Sequence, residues 1–294
     1  MPTDRIALVR LWGARLSWLA LAVLGGAAIG DALSGHVRAV QLTGTVGAWV
    51  GWGVVALAML VPSTVSLTVV RTVVPAGLVV SIIAAIESDD TAARIACVAL
   101  AVLAATFVAT GELGQLFAQG SAYGDERRFV LRPPLAYLVP AVISWCALCA
   151  AAISGPLLLA SGAWAIGVAL TALAAVMGWF LGRRYHRLAR RWLVLVPAGI
   201  VVHDHLVLAE TAMFPRATLA HIGLALEGTE AADLTGPAAG MAVEIALRDV
   251  PTVVLAPTRT AARGTALHVR SVLVAPSRPG RVLAEAVRRN FPVG

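Results

Sequence analysis

The sequence predicts an α-helical integral membrane bundle of about six spans, followed by a small antiparallel β-barrel capped by a C-terminal helix. Three observations predict it. Over 294 residues the composition is 59% hydrophobic and 13% charged, with a mean hydropathy of +0.83, whereas soluble domains carry roughly a quarter charged residues. Apolar runs of roughly 20 residues, the length that crosses a bilayer, recur through residues 1–181. Beyond Gly182-Arg183-Arg184-Tyr185-His186-Arg187-Leu188-Ala189-Arg190-Arg191 they give way to short alternating segments punctuated by Pro, Gly and Asp, which is a strand pattern.

Six segments qualify as spans: Trp12–Leu33, Gly44–Leu60, Thr64–Ile86, Ala92–Gly111, Leu135–Leu159 and Gly162–Leu181. The first opens like a secretory signal, with Arg5, Arg10 and Arg15 before the apolar run. Its flank Asp31-Ala32-Leu33-Ser34 makes a weak cleavage site and further apolar segments follow, so a retained span is expected. The second segment is short, and Val61-Pro62-Ser63 links it to the third as a tight helical hairpin. Gly26 with Gly30, and Gly47 with Gly51, have the four-residue spacing that lets helix backbones approach closely; the alternative is background in a chain this rich in Gly and Ala.

Charge sets the orientation. If the N-terminus is inside, the cytoplasmic flanks hold eleven arginines: Arg5, Arg10, Arg15, Arg127, Arg128, Arg132, Arg183, Arg184, Arg187, Arg190 and Arg191. The outer loops hold Arg38 and Arg94, beside acidic Glu87, Asp89 and Asp90. The positive-inside rule then makes both termini cytoplasmic and the protein a multi-pass component of the plasma membrane. Trp12 and Trp179 fall near the inner interface and Trp164 near the outer, where amphipathic rings settle. A net charge of +7 would suit nucleic acid on a soluble protein, but these arginines flank apolar segments, so no nucleic-acid partner is expected.

After Arg191, Trp192–Val196, Pro197-Ala198-Gly199 and Ile200–His203 read as strand, tight turn and strand. Further candidates are Leu206–Ala209, Thr218–Leu226, Ala242–Leu247, Thr252–Ala256 and Ala266–Val274, about seven short strands in all. Arg278–Asn290 then carries Val282, Leu283, Ala286 and Val287 at helical spacing. Such a series suggests a small barrel plugged by a helix. Three regions follow: a transmembrane domain (1–181), a basic hinge (182–191) and a cytoplasmic strand domain (192–294).

The run from Arg190 through Trp192-Leu193-Val194-Leu195-Val196-Pro197-Ala198-Gly199 to His203-Asp204 resembles the opening hairpin of bacterial PH-like domains attached to membrane helices. Ala266–Ala275 and the terminal helix are similar to the last strand and helix of that fold. The whole chain looks like actinobacterial multi-pass membrane proteins of unknown role that bear such a domain, a source that the Ala/Val/Arg/Gly bias and the lack of lysine also suit. The resemblance implies a PH-like barrel serving lipid binding, protein contact or oligomerisation. It brings no catalytic motif.

Two stretches carry the candidate binding residues. Arg183, Arg187, Arg190 and Arg191 have the spacing of one helical face, and with Arg184 they make a surface for anionic headgroups, each gaining about 1 kcal/mol near the bilayer; the alternative is a topology stop with no ligand. The inner loop 112–134 holds Glu112, Gln115, Gln119, Tyr123, Asp125, Glu126, Arg127 and Arg128. If the fourth span runs on, Glu112, Gln115 and Gln119 line one face, and the loop docks on the strand domain or a partner; the alternative is a solvated loop with local ion pairs. Arg71, about two turns into the third span, is either functional or snorkels to the cytoplasmic boundary.

Cys146-Ala147-Leu148-Cys149 has redox spacing in an apolar setting that favours inert thiols. His203 and His205 share a face if the strand continues through Asp204, but they lack an obvious third or fourth ligand for a metal. Phosphate-loop, zinc-protease, nucleophile-elbow and Rossmann patterns are missing from the sequence, so neither catalytic residue nor cofactor is expected. The sequence therefore points to a non-catalytic adaptor or regulator at the inner face, bound to membrane lipids, a membrane-protein partner or a second copy. The competing readings are a transporter or transporter subunit for a lipidic substrate, and a membrane enzyme of envelope lipid metabolism.

Overall fold

The computed structural model describes residues 2–257 and 264–294, and of residues 2–4 the backbone alone. Two compact units emerge, Met1–Gly120 with Val142–Tyr185, and Ser121–Ala141 with His186–Gly294. The second unit thus takes in residues 121–141 as well as the C-terminal third.

The helical unit is built from α1 (Pro2–Ala20), a π-helical turn (Leu21–Gly25), α2 (Gly26–Ser34), α3 (Arg38–Leu60), α4 (Thr64–Glu87), α5 (Thr91–Ala109) and α6 (Gly111–Gln119), with most of α7 (Leu135–Ala160) and α8 (Trp164–Ala189). Among the described residues six helical stretches are long and apolar enough to cross a membrane: Arg5–Ser34, Arg38–Leu60, Thr64–Glu87, Thr91–Ala109, Leu135–Ala160 and Trp164–Ala189. They match the six expected segments. The second is longer than its apolar core suggested, because its first turn is polar. Helices are the elements that satisfy every backbone group internally where water is absent. Their ends are closed by short side chains: Ser63 Oγ accepts from Ser66 N at 3.1 Å, and Asp90 Oδ1 from Ala92 N and Ala93 N at 2.9 and 3.1 Å. Each satisfies donors that a helix start leaves orphaned.

Packing in this unit uses small residues. Ala7, Leu11, Ala14, Trp18, Leu21 and Ala28 are buried along the first span, and Ala93, Cys97, Ala101, Ala104 and Val108 along α5. At Gly25 a Cβ would fall 2.9 Å from Cys97 Cα; at Gly13 and Gly77 it would fall 2.6 Å from Phe107 and 2.7 Å from Trp18. Those glycines mark the close approaches. Gly26, Gly30, Gly47 and Gly51 face open space, so of the two readings of their four-residue spacing the compositional background holds and close approach does not. Periodicity names a face, and a neighbouring helix decides whether that face is used. Cross-helix hydrogen bonds complete the packing: Arg15 Nη2 and Nε reach Met59 O at 2.5 and 3.1 Å, and Trp145 Nε1 donates to Thr72 O at 2.9 Å.

Among the described residues the strand unit holds two four-stranded sheets and one two-stranded antiparallel pair. In the first sheet β1 (Arg127–Val130), β2 (Trp192–Val196), β3 (Gly199–His203) and β4 (Ala212–Pro215) run antiparallel in that order. The second has the order β5-β7-β10-β6, from β5 (Leu219–Leu224), β6 (Ala232–Asp233), β7 (Val243–Leu247) and β10 (Ser271–Val274), with β6 parallel to β10. Between them in sequence, β8 (Thr252–Leu255) pairs with β9 (Thr265–His268). The terminal helix α9 (Pro279–Arg288) sets Val282 and Ala286 into a core with Phe129, Leu131, Leu193, Leu195, Ile200, Val202, Phe214, Ile222, Ile245 and Val272.

This differs from the expectation in several places. The sheets do not close into a barrel: among the described residues each keeps its own strand order, and an isolated bridge between Leu131 and Pro276 links the continuations of β1 and β10. Leu206–Ala209 is not a strand, because Val207 N and Leu208 N turn back onto Asp204 O. The segment Ala266–Val274 breaks at Val269-Arg270 into β9 and β10. β1, β4 and β6 are additions.

Candidate functional site

Of the predicted binding residues, the inner-loop group falls into two different settings. The fourth span does not run on. Thr110 leaves the helix at φ −66°, ψ 143°, and its Oγ1 caps a new helix by accepting from Leu113 N at 3.4 Å. On that helix, α6, Glu112 and Gln115 are buried and Gln119 half-buried, so their polar face is turned inward rather than offered as an open loop. Gly120 at its end packs directly on the Pro62 backbone. Arg71, projecting from α4, lies against Gly114 of α6, where a Cβ would come within 2.5 Å of Nη2.

Downstream of α6 the same stretch is a structural part of the strand unit. β1 pairs residue for residue with β2, from Arg127 opposite Leu195 to Val130 opposite Trp192. Arg132 N then donates to Ala275 O at 2.8 Å, and Ser277 N to Val130 O at 2.8 Å. Asp125 Oδ1 accepts from Arg289 Nη2 at 2.8 Å, and Arg289 Nε also reaches Glu285 Oε1 at 2.7 Å. Burial pushes the Glu285 carboxyl up, but the bonds from Arg288 and Arg289 prevail and hold it below its ordinary value. Glu126 Oε1 takes Arg128 Nη2 at 2.7 Å and Nε at 3.0 Å, and accepts from Tyr123 N at 2.5 Å. The Tyr123 side chain itself is 90% exposed.

At the basic stretch the structure corrects the expected single face. Helix α8 ends at Ala189, so Arg190 and Arg191 leave the helical phase that Arg183 and Arg187 keep. Arg183, Arg184, Arg187 and Arg190 are exposed, with the Arg183 guanidinium 4.4 Å from the Trp179 ring centroid. Arg191 is buried, and its Nε and Nη2 meet Asp204 Oδ1 and Oδ2 at 2.8 and 2.6 Å. It is a structural ion pair and cannot reach a headgroup.

Beside this pair lies a column of rings and cations. Arg128 Cζ sits 4.9 Å from the Trp192 ring, Trp192 stacks on His203 at 5.1 Å and 11°, and His205 meets His203 edge-on at 4.3 Å. Burial, then His205, Arg190 and Arg128, push His203 down to about 4. His203 Nδ1 is 3.0 Å from Thr211 Oγ1. No third His, Cys, Asp or Glu joins the histidine pair among the described residues.

Sequence reasoning missed Asp204, Arg216 and Arg289. The signal for Asp204 was present: it flanks the predicted hairpin on the side opposite Arg191. Arg216 had none, since it acts through the chain end, donating Nη2 to Arg289 O and Asn290 O at 2.7 Å where a helix terminus is partially negative. Comparison with protein-family models, curated proteins and solved structures finds no match for this chain.

Proposed function

We propose that this protein is a non-catalytic adaptor or regulator in a bacterial plasma membrane, with a cytoplasmic strand domain of PH-like type that recognises anionic lipid. The observation that carries the reading is the pairing of β1 with β2. It builds the loop between the fourth and fifth spans into the same domain that follows the sixth, so two tethers from the membrane segments enter one sheet. Two spans separate those tethers and four precede the first, which agrees with both termini and this loop sharing one side. The arginine bias of that side supports the cytoplasm.

At the second tether Arg183, Arg184, Arg187 and Arg190 are exposed where α8 passes into β2. Clustered juxtamembrane arginines suit anionic headgroups, with attraction confined to about a Debye length. A tethered, strand-built module bearing such a cluster suits docking better than turnover. The two sheets and the terminal helix support PH-like kinship, in an open form.

Gentle purification from native membranes, followed by mass spectrometry of what remains bound, tests the proposal. Wild type should retain anionic lipid in a salt-sensitive manner, and a variant with Arg183, Arg184, Arg187 and Arg190 replaced by Gln should retain clearly less. Equal retention by both would refute the lipid reading, and a stoichiometric protein in its place would make the chain a subunit.

A further inference from the structure

Arg71 is a mostly buried guanidinium within the third candidate span. Among the described residues it makes neither hydrogen bond nor ion pair; its neighbours act elsewhere. Thr68 Oγ1 and Thr72 Oγ1 donate back to their own helix, to Thr64 O at 3.0 Å and Thr68 O at 2.8 Å. Glu112, two residues from Gly114 on α6, is buried with interactions of its own, and Arg71 is not paired with it. An uncompensated charge away from water is costly, and folds that keep one supply a counter-charge or an aqueous path.

The surroundings are shaped for the guanidinium. Gly114 presents bare backbone to it, and a Cβ there would lie 2.5 Å from Nη2 and 3.3 Å from Cζ. Thr110 starts a new helix at this level, and Gly120 locks its far end onto the Pro62 backbone, so α6 is held across the start of α4. Arg71 is seven residues beyond the first residue of α4, about 10 Å along the axis. Helical side chains lean toward the N-terminus, which here is the nearer boundary, and the headgroup layer is about 5–8 Å deep. A long arginine side chain spans that gap.

We propose that Arg71, seated against Gly114, binds an oxyanion: the phosphate of a membrane lipid drawn in between α4 and α6. The phosphate fits because two guanidinium N–H groups match two of its oxygens, and because a lipid reaches this depth from the headgroup layer without crossing it. The site is distinct from the exposed arginines at the end of α8, so either can fail without the other.

Native mass spectrometry of the full chain in mild detergent reads the site directly, on wild type, Arg71→Gln, Arg71→Lys and Gly114→Leu. Wild type should hold one tightly bound phospholipid that Arg71→Gln loses, with Arg71→Lys intermediate because an ammonium keeps the charge but not the fork. Gly114→Leu should weaken lipid retention by pushing the Arg71 guanidinium out of its seat. Delipidated wild type titrated with inorganic phosphate separates the sources: saturation without lipid would assign the site to the free ion and overturn the lipid assignment. Thermal unfolding of each variant establishes that it is folded. A folded Arg71→Gln protein that retains the same lipid count would overturn the proposal and leave Arg71 as a snorkelling residue.

Discussion

Arg191 and Asp204 close the open end of the β2–β3 hairpin with two parallel hydrogen bonds, at 2.8 and 2.6 Å, and both side chains are at most 1% exposed. The third guanidinium arm, Nη1, donates to Arg132 O at 2.7 Å, and Asp204 Oδ1 also accepts from Leu206 N at 3.1 Å. One ion pair therefore fixes β2, the turn after β3 and the strap leading out of β1. It converts an arginine at the end of a membrane helix into the start of a sheet.

Removing one member should leave the other buried and unpaired. Asp204→Ala is expected to cost about 3–5 kcal/mol, the usual penalty for breaking a buried pair from one side, and Arg191→Gln a similar amount. Replacing both with apolar residues of like volume should cost markedly less, because no uncompensated charge remains. Urea unfolding of the strand domain in the detergent-solubilised chain, followed by Trp192 fluorescence, measures this. Equal losses for the double and single variants would show that the pair does not act as one unit.

His203 is expected to make the domain sensitive to acid. Burial first, with His205, Arg190 and Arg128 behind it and Asp204 opposing, lowers its pKa from 6.5 to about 4. The unfolded chain takes up this proton below about 6.5, the folded domain only near 4. The unfolded state thus binds more protons in that interval, and stability declines as pH falls through it. Thr211 holds Nδ1 and Trp192 covers one ring face, so the charge gains no new partner. Urea midpoints between pH 7 and pH 4 should fall less steeply for His203→Gln than for wild type. Identical slopes would assign the acid sensitivity to other groups.

How much of this could be read beforehand follows from what each feature depends on. The six spans depend on their own residues and on solvent, so Thr64–Glu87 or Leu135–Ala160 announce themselves. The β2–β3 hairpin carries alternating Val and Leu around Pro197-Ala198-Gly199, again local information. β1 is different: Arg127-Arg128-Phe129-Val130 looks like a charged loop until β2 pairs with it, and only then do Phe129 and Leu131 become core. The strand pairings that leave the sheets open, including the two-residue β6 parallel to β10, are tertiary choices with no local mark. Arg191 illustrates the same limit for charge. A count of arginines weighs it equally with Arg190, although one is buried against Asp204 and the other lies in the open. Near Gly111 the apolar run of the fourth span ends and continuation is left open, and the Thr110 hydroxyl bonded to Leu113 N starts a separate helix there.

The helical unit offers a sharper test at Trp18 and Trp52, whose indoles donate to each other's carbonyl oxygens, at 3.0 and 2.9 Å. That exchange joins α1 to α3 and fixes the Trp18 ring, which is 3% exposed and presses on Gly77. A Cβ at Gly77 would lie 2.7 Å from Trp18 Cη2 and 3.1 Å from Cζ3. Because the ring is bonded at its nitrogen, it cannot swing away without losing the bond to Trp52 O. Gly77→Val should therefore destabilise the unit by about 1–3 kcal/mol, the range for overpacking a filled interior. Trp52→Phe, which removes one of the two bonds, should cost about 0.6 kcal/mol, the average for such bonds between membrane helices. Gly47→Ala and Gly26→Ala, at glycines facing open space, should leave thermal stability in detergent unchanged. Gly77→Val should also lose part of its effect in a Trp18→Leu background, since the smaller side chain gives the new methyls room. If the two substitutions simply add, Gly77 does not act through Trp18, and the helix contact must be sought elsewhere on α4.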